Sequence, residues 1–300
     1  MLKQLLLILL IFSRLLMEAQ NHQSDLQTIV NDSLAKTLFG NYSDSLKILT
    51  NQQMETLMNT FLTGSESIGF QFDSLRFVKC VQPNKADFRI ITWVVPLMEK
   101  RFLYTGFIQK ISNGQVAAVV RLESGKSGPD ENSSYQKDDW PSAVYTQIIE
   151  NKNDNGRFYT LIGWMGGGEG KARRVLEVLT FDQAGNPVFG APVFITDNSK
   201  KSKSRVILEF TDQVPFHLGY EQQRLKNEKK KKWMIVFNHL SGNNPLFRNS
   251  FNALVPSYDK FDGYFFEDHK WHFVNDVDVR MDDKNSPGYK PPSEIGLEPK

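Results

Sequence analysis

Two hydrophobic periodicities divide the chain. Between residues 24 and 62, apolar side chains recur at helical spacing: Leu26, Ile29, Val30, Leu34 and Leu38, then Leu46, Ile48, Leu49, Met54, Leu57, Met58 and Phe61. Gly40-Asn41 separates two helices, Ser43 or Asp44 stands where a cap for the second belongs, and Gly64 closes the region. Helices with one apolar face need an apolar partner, and the sheet that follows is the expected one.

From Phe70 the pattern changes to short strands and turns. Segments 70–81, 87–96, 101–111 and 115–123 are rich in Val, Ile, Phe and Tyr. Pro83-Asn84-Lys85, Met98-Glu99-Lys100 and Asn113-Gly114 separate them. Asn-Gly is the strongest hairpin signal, because both central residues of a type I′ turn need positive φ. Such short connections predict antiparallel neighbours, hence a meander. Residues 124–138 hold almost no core-forming side chains and read as a linker or long loop.

After an entry around Trp140 to Ile149, strands are expected at 157–165, 172–181, 187–195, 204–211, 214–222, 232–238, 262–267 and 271–279. Their polar turns favour an antiparallel sheet over βαβ units. The tail from Asp282, with Pro287, Pro291, Pro292 and Pro299, is expected to be irregular. The predicted fold is α+β and predominantly antiparallel β. Short N-terminal helices pack on a β-meander, and a larger all-β half, sandwich or barrel-like, follows. The expected organisation is a signal peptide at 1–20, helices plus meander at 21–123, the linker or loop at 124–138, the β-rich half at 139–281 and the tail at 282–300.

The first residues stand apart from both patterns. Lys3 precedes an unbroken apolar run from Leu5 to Phe12, and Glu18-Ala19-Gln20 ends the segment, which is the order of a secretory signal. The alternative is a buried or amphipathic N-terminal helix. The apolar stretch Leu5 to Met17 contains Ser13 and Arg14. It falls short of the roughly 20 apolar residues a spanning helix needs, so no permanent membrane span is expected. The expected destination is the periplasm or the exterior, with the mature chain soluble.

Charge changes the picture only by exclusion. Without Lys3, Arg14 and Glu18, the 36 basic and 34 acidic residues become 34 and 33. So even a balance argues against nucleic acid as a partner. Cys80 is the single cysteine, so no intrachain disulfide forms, and its apolar setting (Phe77 to Val81) reads as a buried structural thiol.

The chemical motifs fail on spacing. In Gly166-Gly167-Gly168-Glu169-Gly170-Lys171, counting back from Gly170-Lys171 puts Met165 where a phosphate loop needs glycine, and Ala172 stands where it needs a hydroxyl. The five histidines (His22, His217, His239, His269, His272) lack zinc-site spacing. From Asp276, a calcium loop would need Gly at Met281 and Glu at Pro287. The better reading there is a strand with Asp276 and Asp278 on one face and Val277 and Val279 on the other. No Gly-x-Ser-x-Gly elbow occurs. No cofactor and no metal site are expected, and no catalytic residue is assignable.

What remains is aromatic. Core packing accounts for most of the rings. The alternative is a groove or barrel mouth for an apolar or sugar ligand, with Trp164, Trp233, Trp271, Asp276 and Asp278 as candidate contacts.

The segments Phe158-Tyr159-Thr160-Leu161-Ile162-Gly163-Trp164, Arg174-Val175-Leu176-Glu177-Val178-Leu179-Thr180-Phe181-Asp182, Gly185-Asn186-Pro187-Val188-Phe189-Gly190 and Asp276-Val277-Asp278-Val279-Arg280 resemble an uncharacterised family of exported Bacteroidetes proteins. The resemblance covers roughly residues 140–281. It implies export and a β-rich fold, and supplies no reaction. The expected function is a non-enzymatic binding or envelope-associated module, whose partner is an envelope component, a protein or an apolar or sugar ligand. The competing expectation is a hydrolase using Asp276, Asp278 and Glu177.

Overall fold

The computed structural model describes residues 23–125, 128–154, 156–196, 202–225, 228, 230–242 and 253–279. The proposed signal segment and the tail from Asp282 lie outside these. The helical region is α1 (Gln23–Thr28), a π-helical turn (Ile29–Leu34), α2 (Ala35–Phe39) and α3 (Asp44–Thr63). Ser43 caps α3 by accepting from the Leu46 amide at 3.4 Å, and Gly64 ends it.

Sixteen strands follow in the described residues. They are β1 (Lys79–Val81), β2 (Phe88–Pro96), β3 (Phe102–Ser112), β4 (Gln115–Leu122), β5 (Tyr135–Gln136), β6 (Val144–Asn153), β7 (Gly156–Gly166) and β8 (Lys171–Phe181), then β9 (Pro187–Phe189), β10 (Phe194–Ile195), β11 (Ser202–Lys203), β12 (Val206–Thr211), β13 (Leu218–Arg224), β14 (Lys231–Ser241), β15 (Val255–Glu267) and β16 (Lys270–Val274). The first sheet is the meander β1-β2-β3-β4, whose β3–β4 hairpin turns at Asn113 and Gly114 with φ of 52° and 73°. The second runs β5-β9-β8-β7-β6, with β12 also paired to β8. The third runs β11-β10-β16-β15-β14-β13, antiparallel except for the β10–β16 pair.

These elements stack as four layers. One apolar cluster joins the helices (Leu26, Met54, Leu57, Phe61) to Ile91, Trp93, Val95 and Phe107 of the first sheet. The opposite face of that sheet, through Phe88, Ile90 and Ile108, packs on Tyr145, Leu161, Val175 and Leu179 of the second. The far face of the second sheet, through Phe158, Ile162, Leu176 and Val178, packs on Ile235, Phe237, Tyr264 and Trp271 of the third. β2, β7 and β8 are therefore covered on both faces, which is why they read as continuous apolar runs rather than alternating ones.

Several strand boundaries differ from expectation, among them β13, which begins at Leu218 rather than 214, and β15, which begins at Val255 rather than 262. Residues 70–78 form a 3-10 turn (Phe72–Ser74) and irregular chain; only Lys79–Val81 is strand. The cause is Arg89, buried on β2, which donates to the carbonyls of Ser67, Ile68 and Phe70 and so ties this segment across the strand end. The segment 140–149, expected as a short entry, holds most of the ten-residue β6. Segment 187–195 is divided between β9 and β10, with Gly190 at φ 98° at the crossing from the second sheet to the third.

The loop region 128–139 is tied to the second sheet by a second buried arginine. Arg205 donates to Glu177 at 2.7 Å, to the carbonyls of Asp130 and Ser133, and to Phe189 O at 3.3 Å, with the Tyr135 ring 4.6 Å away. Glu131 completes the attachment, accepting from the amides of Ser204 and Ile207 and pairing with Lys203. Any side chain at Gly190 would meet the Arg205 guanidinium at 2.6 Å.

Burial raises the Glu177 carboxyl from the ordinary 4.5 to about 7, against the opposing pull of Arg205 and of the Val178 amide. Its folded pKa lies above its unfolded one, so its stabilising contribution is full below about pH 4.5 and is lost as pH rises through 7. The shift corresponds to about 3 kcal/mol. Chemical denaturation across pH 4.5 to 8 is expected to show that decline, and Glu177→Gln to flatten it. An unchanged slope in the variant would assign the pH dependence to other groups.

Candidate functional site

Three strand edges meet at one place. β1, β6 and β13 are the terminal strands of the first, second and third sheets. An exposed edge is a hazard for unwanted pairing. Here β1 lies beside β6, and β13 approaches from the other side, with Leu218 and Thr146 lining a shared recess. A β-bulge at Thr146, between the pairs Tyr145↔Gly163 and Gln147↔Ile162, interrupts the ladder of β6. The Thr146 hydroxyl donates to Ile162 O at 3.2 Å.

The recess is a cavity of about 370 Å³. Its floor is the row Val144, Trp164 and Arg174, which are cross-strand partners on β6, β7 and β8 and therefore share one face. Ile162 lies one residue pair along. Lys79 and Val94 wall it from the first sheet, and Phe216 and Leu218 from the third. Trp164 stands against Phe102 edge-on at 5.2 Å, and Phe216 stacks on Phe210 at 4.0 Å. Beyond Thr146 the recess adjoins a smaller one of about 260 Å³, bounded by Val81, Gln82, Ile148 and Tyr220.

The cations of this site are singular. Arg174 is half-buried, and burial alone lowers its pKa. Among the described residues its guanidinium has no hydrogen-bond or ion-pair partner, whereas neighbouring Lys171 and Arg173 both pair with Glu209 at 2.7 Å. Lys79 likewise has no acidic partner among the described residues, and no carboxylate lines the cavity.

Of the five residues marked in the sequence, the structure brings one, Trp164, to the cavity. Trp233 is half exposed (52 %) and stacks on Tyr220, which bounds the smaller recess. Trp271 is fully buried and donates from Nε1 to Thr160 at 2.9 Å, so its ring is core and offers no surface to a ligand. Asp276 sits exposed at φ 61°, its amide donating to Asp262 at 3.4 Å, and Asp278 bridges to Arg224 on β13. The strand expected over 271–279 stops at Val274: residues 275–279 are irregular, bent at Asp276 and touching β13 only through the isolated Asp278 bridge, so the Asp276/Asp278 strand face does not form, although Val277 and Val279 pack on the outer cluster of the third sheet.

Arg174 was legible as a residue but not as a site. It shares the parity of Leu176 and Val178, the apolar alternation of its own strand, and that misfit is the signal a sequence offers. Cys80 lies partly buried, with burial raising its thiol to about 11, well outside the nucleophilic range. No cluster of three metal-ligating side chains occurs among the described residues, and no helix of theirs is long and apolar enough to cross a membrane. Comparison with known protein families, curated proteins and solved structures finds no match.

Proposed function

We propose that this chain is an exported, non-enzymatic binding protein that takes a small, largely apolar ligand into the cavity where the three sheets meet. One observation carries the reading: the recess where the three sheet edges meet is walled by Val94, Val144, Ile162, Trp164, Phe216 and Leu218. An apolar concavity with a few convergent polar groups is the general form of a ligand site, and 370 Å³ falls within the usual range of roughly 300–1,000 Å³. Export is supported by the order of Lys3, the Leu5–Phe12 run and Glu18-Ala19-Gln20.

The hydrolase alternative needs two carboxylates in one open site. Glu177 is fully buried on Arg205 near Tyr145, in the layer between the first two sheets. Asp276 and Asp278 flank Val277 on the outer face of the third sheet. Their separation in different layers favours the binding reading.

The test combines both parts of the proposal. Full-length chain expressed in a Gram-negative host is expected in the periplasmic fraction with its N-terminal segment removed. That material is expected to take up 1-naphthol, a neutral fluorophore suited to the cavity, with saturable 1:1 stoichiometry. Trp164→Ala is expected to weaken uptake about tenfold by removing one aromatic wall. Retention in the cytoplasm would overturn export, and unsaturable uptake indifferent to Trp164→Ala would overturn the site.

A further inference from the structure

We propose that the ligand of the three-sheet cavity is an anionic amphiphile, a monocarboxylate with an unbranched apolar body, held by its head on Arg174 and steered by Lys79. This inference rests on the binding reading above and names its ligand class.

A guanidinium drawn out of water normally acquires an acidic partner or several carbonyls. The two buried arginines among the described residues show both solutions: Arg205 pairs with Glu177, and Arg89 bonds Gln109 and three backbone carbonyls. Arg174 has neither among the described residues, yet burial is enough to lower its pKa. It stands at the end of the floor row, paired across β7 with Trp164 and across β12 with Leu208, and its side chain lines the apolar cavity. Lys79 adds a second positive charge from the first sheet. The missing partner is thus an anion brought by the ligand. A carboxylate matches the planar fork of an arginine, with two parallel N–H···O bonds.

The walls set the remainder of the molecule. Val94, Val144, Ile162, Phe216 and Leu218 offer no hydrogen-bonding side chain, so the body of the ligand is hydrocarbon. The 370 Å³ cavity equals about a dozen water volumes. A head plus a chain of about ten carbons fills it. A sugar would leave its hydroxyls facing those apolar walls, at a cost for each unpaired group.

The experiment is isothermal titration of the full mature chain with sodium decanoate, below its micelle concentration, against 1-decanol and decyltrimethylammonium. Decanoate is expected to bind 1:1 with Kd on the order of 10–100 µM. Decanol is expected to bind at least about tenfold more weakly, and the cationic amphiphile not to bind. Arg174→Met keeps the apolar stem and is expected to weaken decanoate roughly 10–100-fold while leaving decanol unchanged; Arg174→Lys restores part of the loss. Lys79→Gln, at an exposed position, is expected to cost less and to reduce the salt dependence. Thermal unfolding of each variant separates a lost contact from a lost fold. Equal affinity for decanoate and decanol would overturn the anion inference and leave the apolar site standing. Binding of none of the three would overturn both.

Discussion

Replacing Arg205 by methionine is expected to lower the unfolding free energy by about 3–5 kcal/mol, a drop in Tm on the order of 10 °C. The size follows from what the guanidinium holds. It is fully buried, and it joins Glu177 of β8 to the carbonyls of Asp130, Ser133 and Phe189. Methionine fills the volume but donates nothing, so three carbonyls lose a charged donor and the 128–136 segment keeps only its Glu131 and β5–β9 attachments. Glu177→Gln is expected to behave differently. Its single side-chain oxygen keeps the Arg205 Nε bond at the expense of the Val178 amide bond, and Arg89 shows that a buried arginine in this protein is satisfied without any carboxylate. At pH 8 that variant is expected to be as stable as the parent or more so. Guanidinium unfolding of both variants checks the pair, and limited proteolysis should place the first new cut of Arg205→Met between residues 128 and 136. Equal losses from the two substitutions would sink the assignment of Arg205 as the anchor.

Trp271→Ala is expected to cost about 3–5 kcal/mol of stability, the usual range for emptying a buried tryptophan site. The ring fills the layer between the second and third sheets, 5.2 Å from Phe266 and 6.3 Å from Tyr220, and its N–H bonds Thr160 Oγ1. Thr160 in turn donates to Asn151 at 2.8 Å, so the substitution also removes one end of a buried polar chain. Trp164→Ala is expected to do the reverse. Its ring is half-buried on the cavity floor, so the loss falls on ligand uptake, with stability changed by about 1 kcal/mol. Thermal unfolding and naphthol titration of the two variants in parallel test this division. Comparable Tm losses would show that Trp164 is as much a part of the core as Trp271.

These two tryptophans show how far a linear reading reaches. Both lie in strands rich in aromatics, and nothing local distinguishes them. Trp164 ends at a junction of three sheet edges because its cross-strand neighbours Val144 and Arg174 meet β1 and β13 there. Trp271 is sealed because β16 runs between β10 and β15 over the middle of the second sheet. The alternation of Asp276, Val277, Asp278 and Val279 mimics a strand, yet the chain bends at Asp276 beyond the end of β16, because Val277 turns in to close the outer cluster of the third sheet.

The sequence by itself determined the local elements: α3 with its Ser43 cap and Gly64 stop, the Asn113-Gly114 hairpin, the meander and the long strands of the β half. It did so because capping, turn φ and short-range periodicity are settled within a few residues. Tertiary structure decided the rest. It stacked three sheets and a helical layer so that β2, β7 and β8 have no solvent face, and it spent Arg89 and Arg205 on irregular segments 22 and 75 residues away. It left Arg174 without a partner in an apolar recess. Those outcomes depend on which edges meet, and edges are brought together by contacts between residues far apart in the chain, which no local pattern encodes.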